Sequence, residues 1–169
     1  ISIFEMNLIL KILTPEMVTN DYVNWFLDHE VTKFSENQYK KFSLEDQKKY
    51  VESCLNNLNV ELFGIFDSSK HIGNILINGL ENVHKNAEIT YLVGDKDYWS
   101  NGVGSFAVAE IIKKASYKYH LHKLYAGIAD ENIGSKRVLE KNGFTLEGIR
   151  KKHLLYNGKF YSQLDYGLV

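Results

Sequence analysis

Residues 87–119 change hydrophobic period once, and that change restricts the chain to folds that mix sheet and helix. Ala87, Ile89, Tyr91 and Val93 alternate with their neighbours in "AEITYLV", the pattern of a strand. Val108, Ile111, Ile112, Ala115 and Tyr119 then recur at helical spacing. At the switch stands "YWSNGVG", with Gly102 and Gly104 two residues apart. A strand that feeds a helix through a glycine turn is half of an α/β unit.

The remaining pattern agrees. Residues 7–13, 60–66, 71–78 and 123–129 read as strands, and two closing strands flank "YNGK". "DSSK" is the turn between the second and third strands. Residues 15–28 read as a helix with Pro15 in its first turn. "SLEDQKKYVESCLNNL" opens with Ser43 as N-cap and Asp46 in the capping-box position. It carries a stripe of Leu44, Val51, Cys54, Leu55 and Leu58. "NIGSKRVLEKNGF" is a short helix that Asn132 caps and Gly143 stops. The order β-α-α-β-β-β-α-β-α-β-β predicts a three-layer α/β domain, a mixed central sheet of about seven strands flanked by about four helices. Its 169 residues make one domain, 1–169. No Met opens the chain, and residues 1–5 are expected to be an appended remnant.

A net charge of −1 gives no general attraction to nucleic acid or anionic membrane, and neither partner is expected. Cys54 is the single cysteine, so no internal disulfide forms, which fits a reducing, cytoplasmic location. It lies on the apolar stripe and is expected to be inert. No apolar run is long enough to span a membrane. His120 and His122 alternate in "YHLHKLY", but no third ligand has matching spacing, so they read as structural and no metal is expected.

Bare backbone at a helix start has a specific use. The first N–H groups of a helix are unpaired and carry partial positive charge, and glycine lets a phosphate approach them. A Gly-Lys-Ser/Thr ending is missing, and Phe106 and Ala107 stand where a dinucleotide fingerprint has its third glycine. The turn alone therefore leaves an ordinary strand-to-helix connection open.

With the downstream block the two segments resemble the GNAT superfamily of acyl-CoA N-acyltransferases. Trp99-Ser100-Asn101-Gly102-Val103-Gly104 is similar to the pyrophosphate loop Q/R-x-x-G-x-G/A, with Trp for the leading Gln/Arg as in the Rim-type branch. Asn132, Ser135, Arg137, Glu140, Lys141, Gly143 and Phe144 match that branch's N-x-x-S-x-R-x-x-E-K-x-G-F element. The closing hairpin is also similar, with Ser162 in place of an Asp. The resemblance implies the GNAT fold, acetyl-CoA as cosubstrate, and acetyl transfer to a primary amine.

By resemblance, the N–H groups of Asn101, Gly102, Val103, Gly104 and Ser105 hold the pyrophosphate. A strand N–H at Leu92 or Val93 steadies the oxyanion, and Asn132 contacts the pantetheine arm. Lys136, Arg137 and Lys141 face the phosphates or form a solvated helix face. Glu88 is the acceptor-side base or a strand-end charge, ahead of Asp95, Asp97 and Glu131. Ser135 is the donor to the departing sulfur, or a first-turn residue bound to backbone. The superfamily's usual Tyr is Leu139 here, which leaves Tyr91 and Tyr125 as further donors. His29, Glu30, Lys33 and Glu36 are expected to shape acceptor choice. Trp25, Phe26, Phe34, Tyr39 and Phe42 offer aromatic walls for a small polar amine. The segment "DYVNWFLDHEVTKFSE" is similar to that of enzymes acting on small amines, nucleotide-linked amino sugars included. Rim-type acetylation of a protein's N-terminal amine is the alternative acceptor reading. A silent acyl-CoA sensor and a binding module without CoA are the alternatives of other classes. A homodimer is left open.

Overall fold

A computed structural model describes residues 5–169. The expected remnant falls almost wholly on residues that lie outside this range. Seven strands form one sheet, ordered β1 (Leu8–Ile12), β2 (Val60–Asp67), β3 (Lys70–Asn78), β4 (Asn86–Val93), β5 (Lys123–Ala129), β7 (Lys159–Leu168), β6 (Thr145–Tyr156). Every neighbouring pair is antiparallel except β4 and β5. Four α-helices flank it: α1 (Asn20–Leu27), α2 (Leu44–Leu55), α3 (Val103–Tyr117) and α4 (Ile133–Lys141). The α/β class, the mixed seven-stranded sheet and the element order agree with the sequence reading.

The sheet separates two apolar cores. Ile75, Ile77, Ala87 and Ile89 pack with Val108 and Ile111 of α3 and Leu139 of α4. On the opposite face Leu62 and Phe66 pack with Tyr22, Val23 and Trp25 of α1 and Val51 and Cys54 of α2. Cys54 is free and buried there. Hairpin turns form where the sequence has turn chemistry: Ser68 joins β2 to β3 at φ 52°, and Asn157-Gly158 joins β6 to β7 at 50° and 74°.

Two helix boundaries differ from expectation. Residues 15–17 form a short 3-10 turn, and α1 begins only at Asn20. Thr19 intervenes: its hydroxyl accepts the Tyr22 N–H, while Val18 stays extended and buries its side chain. The apolar stripe of α2 is also shorter. The Ser43–Asp46 capping box is present, but the helix ends at Leu55, and Leu55 and Leu58 are exposed. Gln47, a polar residue, is buried on that stripe instead.

His71 sits in the α1-side core between the rings of Tyr22 and Phe66, with centroids 5.2 and 4.8 Å away. Its Nε2 lies 2.7 Å from Asn74 Oδ1. Burial holds the imidazole below its ordinary value of 6.5. The unfolded chain therefore takes up a proton near 6.5 while the folded ring stays neutral. Stability is whole above that pH and falls as pH drops below it, by at most about 1.4 kcal/mol per pH unit. Urea melts at pH 7 and pH 5 should show a smaller acid loss for His71→Gln than for the wild type. Equal losses in both proteins would refute the assignment.

Candidate active site

β4 and β5 run side by side for three residues and then part. Their register covers only Asn86↔Lys123, Ala87↔Leu124 and Glu88↔Tyr125. Beyond it neither strand has a partner on the facing edge. The hydrogen bond from Gly94 N–H to the Ile72 carbonyl, 2.9 Å, fixes the alternation along β4. Leu92 points its main-chain groups at β3, whereas Tyr91 and Val93 point theirs into the gap. The Val93 carbonyl is taken by the Trp99 indole N–H at 2.8 Å, and the Val93 N–H stays open.

The glycine turn stands at the end of this edge. Ser100 and Gly102 are both left-handed, at φ 61° and 82°. α3 starts at Val103 without a side-chain cap, and its first backbone bond runs from Phe106 N–H to the Gly102 carbonyl. The N–H groups of Val103, Gly104 and Ser105 thus lack helical partners. Gly104 serves packing as well as access: a Cβ there would meet Val138 at 3.4 Å and Tyr91 at 3.8 Å. Asn142 at the end of α4 donates to the Ser105 hydroxyl at 3.1 Å and binds the two helices together.

A cavity of about 830 Å³ opens from the gap toward α1 and α2. Glu88, Thr90 and Leu92 of β4 form its floor. Phe26, Phe34, Phe42 and Tyr156 wall it, and Asn132 and Ser135 stand at its α4 side. Asn132 Oδ1 accepts the Ser135 N–H at 3.2 Å, which caps α4, while the Ser135 hydroxyl has no partner in the protein. The Tyr91 hydroxyl donates to the Ser135 carbonyl at 3.2 Å, and burial pushes its pKa up to about 12.

The family model for the acetyltransferase (GNAT) domain matches residues 7–145. The chain belongs to the GNAT family of N-acetyltransferases. It is 33% identical over 123 residues to the probable N-acetyltransferase YjcK of Bacillus subtilis, across 69% of this chain and 67% of that protein. It is 30% identical over 100 residues to the ribosomal-protein-serine acetyltransferase of Escherichia coli, across 59% of this chain and only 55% of that protein. Its fold matches the crystal structure of spermidine N-acetyltransferase from Vibrio cholerae, in complex with CoA and spermine. That match has a TM-score of 0.84 over 95% of this chain and 94% of the other, at 16% identity.

In this GNAT domain the residues singled out from the sequence divide into separate groups. Glu88, Leu92, Asn132, Ser135, Tyr91, Phe26, Phe34, Phe42 and Glu36 line the cavity. Val93 and residues 101–105 stand outside it, along the open edge and the helix start. Lys136, Arg137 and Lys141 on α4 make no ion pair among the described residues. Trp25 is core, pressed so closely on Gly94 that a Cβ there would overlap the indole. Tyr39 is outside the cavity and bonds the Leu155 carbonyl at 3.0 Å. Asp95 pairs with Lys70 at 3.0 Å, and Glu131 with Lys159 at 2.7 Å. Glu30 is drawn to Lys96 at 3.8 Å, and His29 and Lys33 are exposed away from the cavity. His120 and His122 precede β5 rather than sharing a strand face, His120 with φ 53°. Among the described residues no group of three His, Cys, Asp or Glu could hold a metal. Among them, too, no helix is long and apolar enough to cross a membrane.

Gly127 and Gln163 line the cavity without being singled out from the sequence, and Asp165 and Arg150 hold Gln163 from outside the lining. Arg150 Nε donates to Asp165 at 2.8 Å, and Asp165 holds the Gln163 amide, also at 2.8 Å. Gly127 leaves the room: its Cβ would stand 2.7 Å from Gln163 Nε2. Because a carboxylate accepts only from the NH2 end, Gln163 has its carbonyl oxygen free for the cavity. Asp165 also acts on Glu88. Partial burial, and then the Asp165 charge, push the Glu88 carboxyl above its ordinary range. Carboxyl carbon titration by NMR should show the Glu88 midpoint falling in Asp165→Asn, yet staying raised because burial persists. A midpoint that does not move would remove Asp165 as a cause.

Proposed function

We propose that this chain transfers the acetyl group of acetyl-CoA to the primary amine of a small polar acceptor. The observation that carries the reading is the parted strand pair. Its unpaired edge leads from a glycine-opened helix start to an aromatic-walled cavity of about 830 Å³.

The residues present fit the cosubstrate. The left-handed backbone at Ser100 and Gly102 and the free N–H groups of residues 103–105 form an anion cradle. Asn101, Gly102, Val103, Gly104 and Ser105 hold the pyrophosphate there. The unpaired Arg137, with Lys136 and Lys141, adds positive charge on the adjacent α4. The open edge of β4 offers main-chain groups to an extended amide-bearing arm, in the manner of an added strand. Asn132 uses its oxygen as a cap and keeps its NH2 group for the same arm. When bound, acetyl-CoA supplies an activated thioester.

The chain's own groups divide the remaining work. The Val93 N–H, fixed in the sheet, is the main-chain donor for negative charge at the reacting carbonyl. Leu92 walls the cavity beside it. A primary amine with a pKa near 10.4 arrives protonated, and Glu88 takes up its proton, directly or through water. The raised Glu88 pKa brings that base nearer to neutral pH. The Ser135 hydroxyl, without a partner in the protein, donates to the departing thiolate.

The aromatic walls of the cavity favour a small acceptor, and nucleotide-linked amino sugars belong in the test panel. The likeness to a ribosomal-protein-serine acetyltransferase favours a second reading, a protein N-terminus as acceptor. An extended peptide requires a long groove, whereas Phe26, Phe34, Phe42 and Tyr156 gather round one compact cavity.

Gly102→Val removes the left-handed residue on which the cradle depends, at about 1–2 kcal/mol of backbone strain. Calorimetry should show acetyl-CoA binding weakened by at least tenfold in the folded variant, and unchanged affinity would reject the cradle. Ser135→Ala and Glu88→Gln should each lower kcat by roughly a hundredfold while CoA affinity stays level. A variant with a normal rate across the pH profile takes its residue out of the mechanism.

A further inference from the structure

The transfer step draws on β4 and α4 and leaves the facing wall of the gap, on β5 and β7, unused. Gly127 and Ala129 of β5 line that wall, and Gln163 of β7 is its polar side chain. Gln163 is paired in register with Ala129, but its amide leans back over Gly127, where a Cβ would stand 2.7 Å from Nε2. Counting on from the last pair of the parting strands, Glu88↔Tyr125, Gly127 is level with Thr90. The amide therefore stands across the gap from Thr90, between the levels of Glu88 and Leu92 and on the same face of the sheet. It cannot turn. Asp165 gives one carboxylate oxygen to Gln163 Nε2 and the other to Arg150 Nε, each at 2.8 Å. A carboxylate only accepts, so the NH2 end faces Asp165 and the carbonyl oxygen is left to the cavity. Gln163 makes no other hydrogen bond, is half-buried, and its oxygen is not sealed from solvent.

An oxygen fixed in this way selects its partner by chemistry. It requires a donor, so a phosphate, a carboxylate or a carbonyl gains nothing from it. An arm added to the edge of β4 directs its main-chain N–H groups along the plane of the sheet, not toward this face. What reaches the face is the acceptor. A hydroxyl that yields its single proton to Glu88 has none left for Gln163. A primary ammonium has three N–H bonds. One proton passes to Glu88, a second N–H donates to Gln163, and the lone pair set free by the first turns to the thioester. A neutral amide also suits this position better than a carboxylate, which would put a further charge beside Glu88 and compete for the proton.

We propose that Gln163 receives and orients the acceptor amine through its carbonyl oxygen, and that Asp165, backed by Arg150, is the residue that positions Gln163. This rests on acetyl transfer to an amine, as argued above. Gly127 belongs to the same arrangement, because any side chain there would overlap the amide.

CoA release from acetyl-CoA is measured with glucosamine, spermidine and a short peptide with a free N-terminus, and the amine of highest kcat/KM is carried into the variants. Gln163→Met keeps the length of the side chain and removes the oxygen. It should lower kcat/KM for the amine by roughly tenfold or more, with the CoA-induced thermal shift and the acid limb of the pH profile unmoved. Asp165→Asn puts a group that both donates and accepts beside the amide, which is then free to turn round. There kcat/KM should fall likewise, and the acid limb should move to lower pH because Glu88 loses a neighbouring charge. This second variant serves if Gln163→Met fails to fold. An unmoved kcat/KM in Gln163→Met would overturn the assignment, and in Asp165→Asn the part given to Asp165. A weakened CoA shift in Gln163→Met would overturn it too, by giving the residue to the cosubstrate. No release with any amine, from wild-type protein that CoA still stabilises, would overturn the transfer reading and the assignment with it.

Discussion

Everything at this site depends on β4 and β5 being parallel neighbours that cannot stay together. Antiparallel strands can be joined by a tight hairpin, but a parallel pair requires a crossover, here the glycine turn and α3. The crossover puts the start of α3 at the open end of β4, and the parting of the strands exposes a main-chain edge beside it. An exposed edge is ordinarily a hazard in a sheet. Here Trp99 closes part of it by taking the Val93 carbonyl, and leaves the Val93 N–H open.

The two faces of the sheet then take different tasks. On one face α3 and α4 are locked together: Asn142 grips Ser105, and Tyr91 reaches from β4 to the first turn of α4. These contacts set the helix start and Ser135 relative to the open edge. On the other face α1 and α2 pack an apolar core against Leu62 and Phe66 of β2, and a cavity lies beside it over β4. In the proposed function the helix start is the anion cradle and the cavity holds the acceptor, and the two meet at the gap, where Asn132 and Ser135 of α4 join the cavity lining. On that reading, acceptor choice is set on the α1–α2 face and leaves the cradle undisturbed.

The sequence disclosed what repeats locally and hid what depends on neighbours across space. The change of period at 93–103, the Ser43–Asp46 box and Asn157-Gly158 are local signals, and each produced its element. Pro15 misled because Thr19, a better cap, follows it by four residues. The aromatic segment 25–42 named Phe26, Phe34 and Phe42 as walls, but no pattern separates them from Trp25, which Gly94 draws into the core. Gly127, Gln163 and Asp165 were invisible for the same reason, since the room that Gly127 leaves matters only because β7 lies beside it. Gln47 is different. It breaks the apolar stripe of α2 between Leu44 and Val51, and a polar residue on a buried helix face is legible without any structure.

The polar lining of the cavity bears on how specificity is built in this GNAT domain. As the proposed base, Glu88, whose pKa is raised by partial burial and by the Asp165 charge, would serve every primary amine alike. Discrimination must come from groups that a wrong acceptor would leave unpaired. A pocket that hydrogen-bonds its ligand rejects an analogue lacking those groups far more strongly than an apolar pocket rejects a change in size. Gln163 carries such a group: it lines the cavity, and its NH2 end is held by Asp165 at 2.8 Å, which leaves its carbonyl oxygen to be paired. The bond to Asp165 fixes that amide in place on folding, so a ligand that donates to its oxygen gains the interaction without ordering the side chain, and one that cannot leaves the oxygen unpaired.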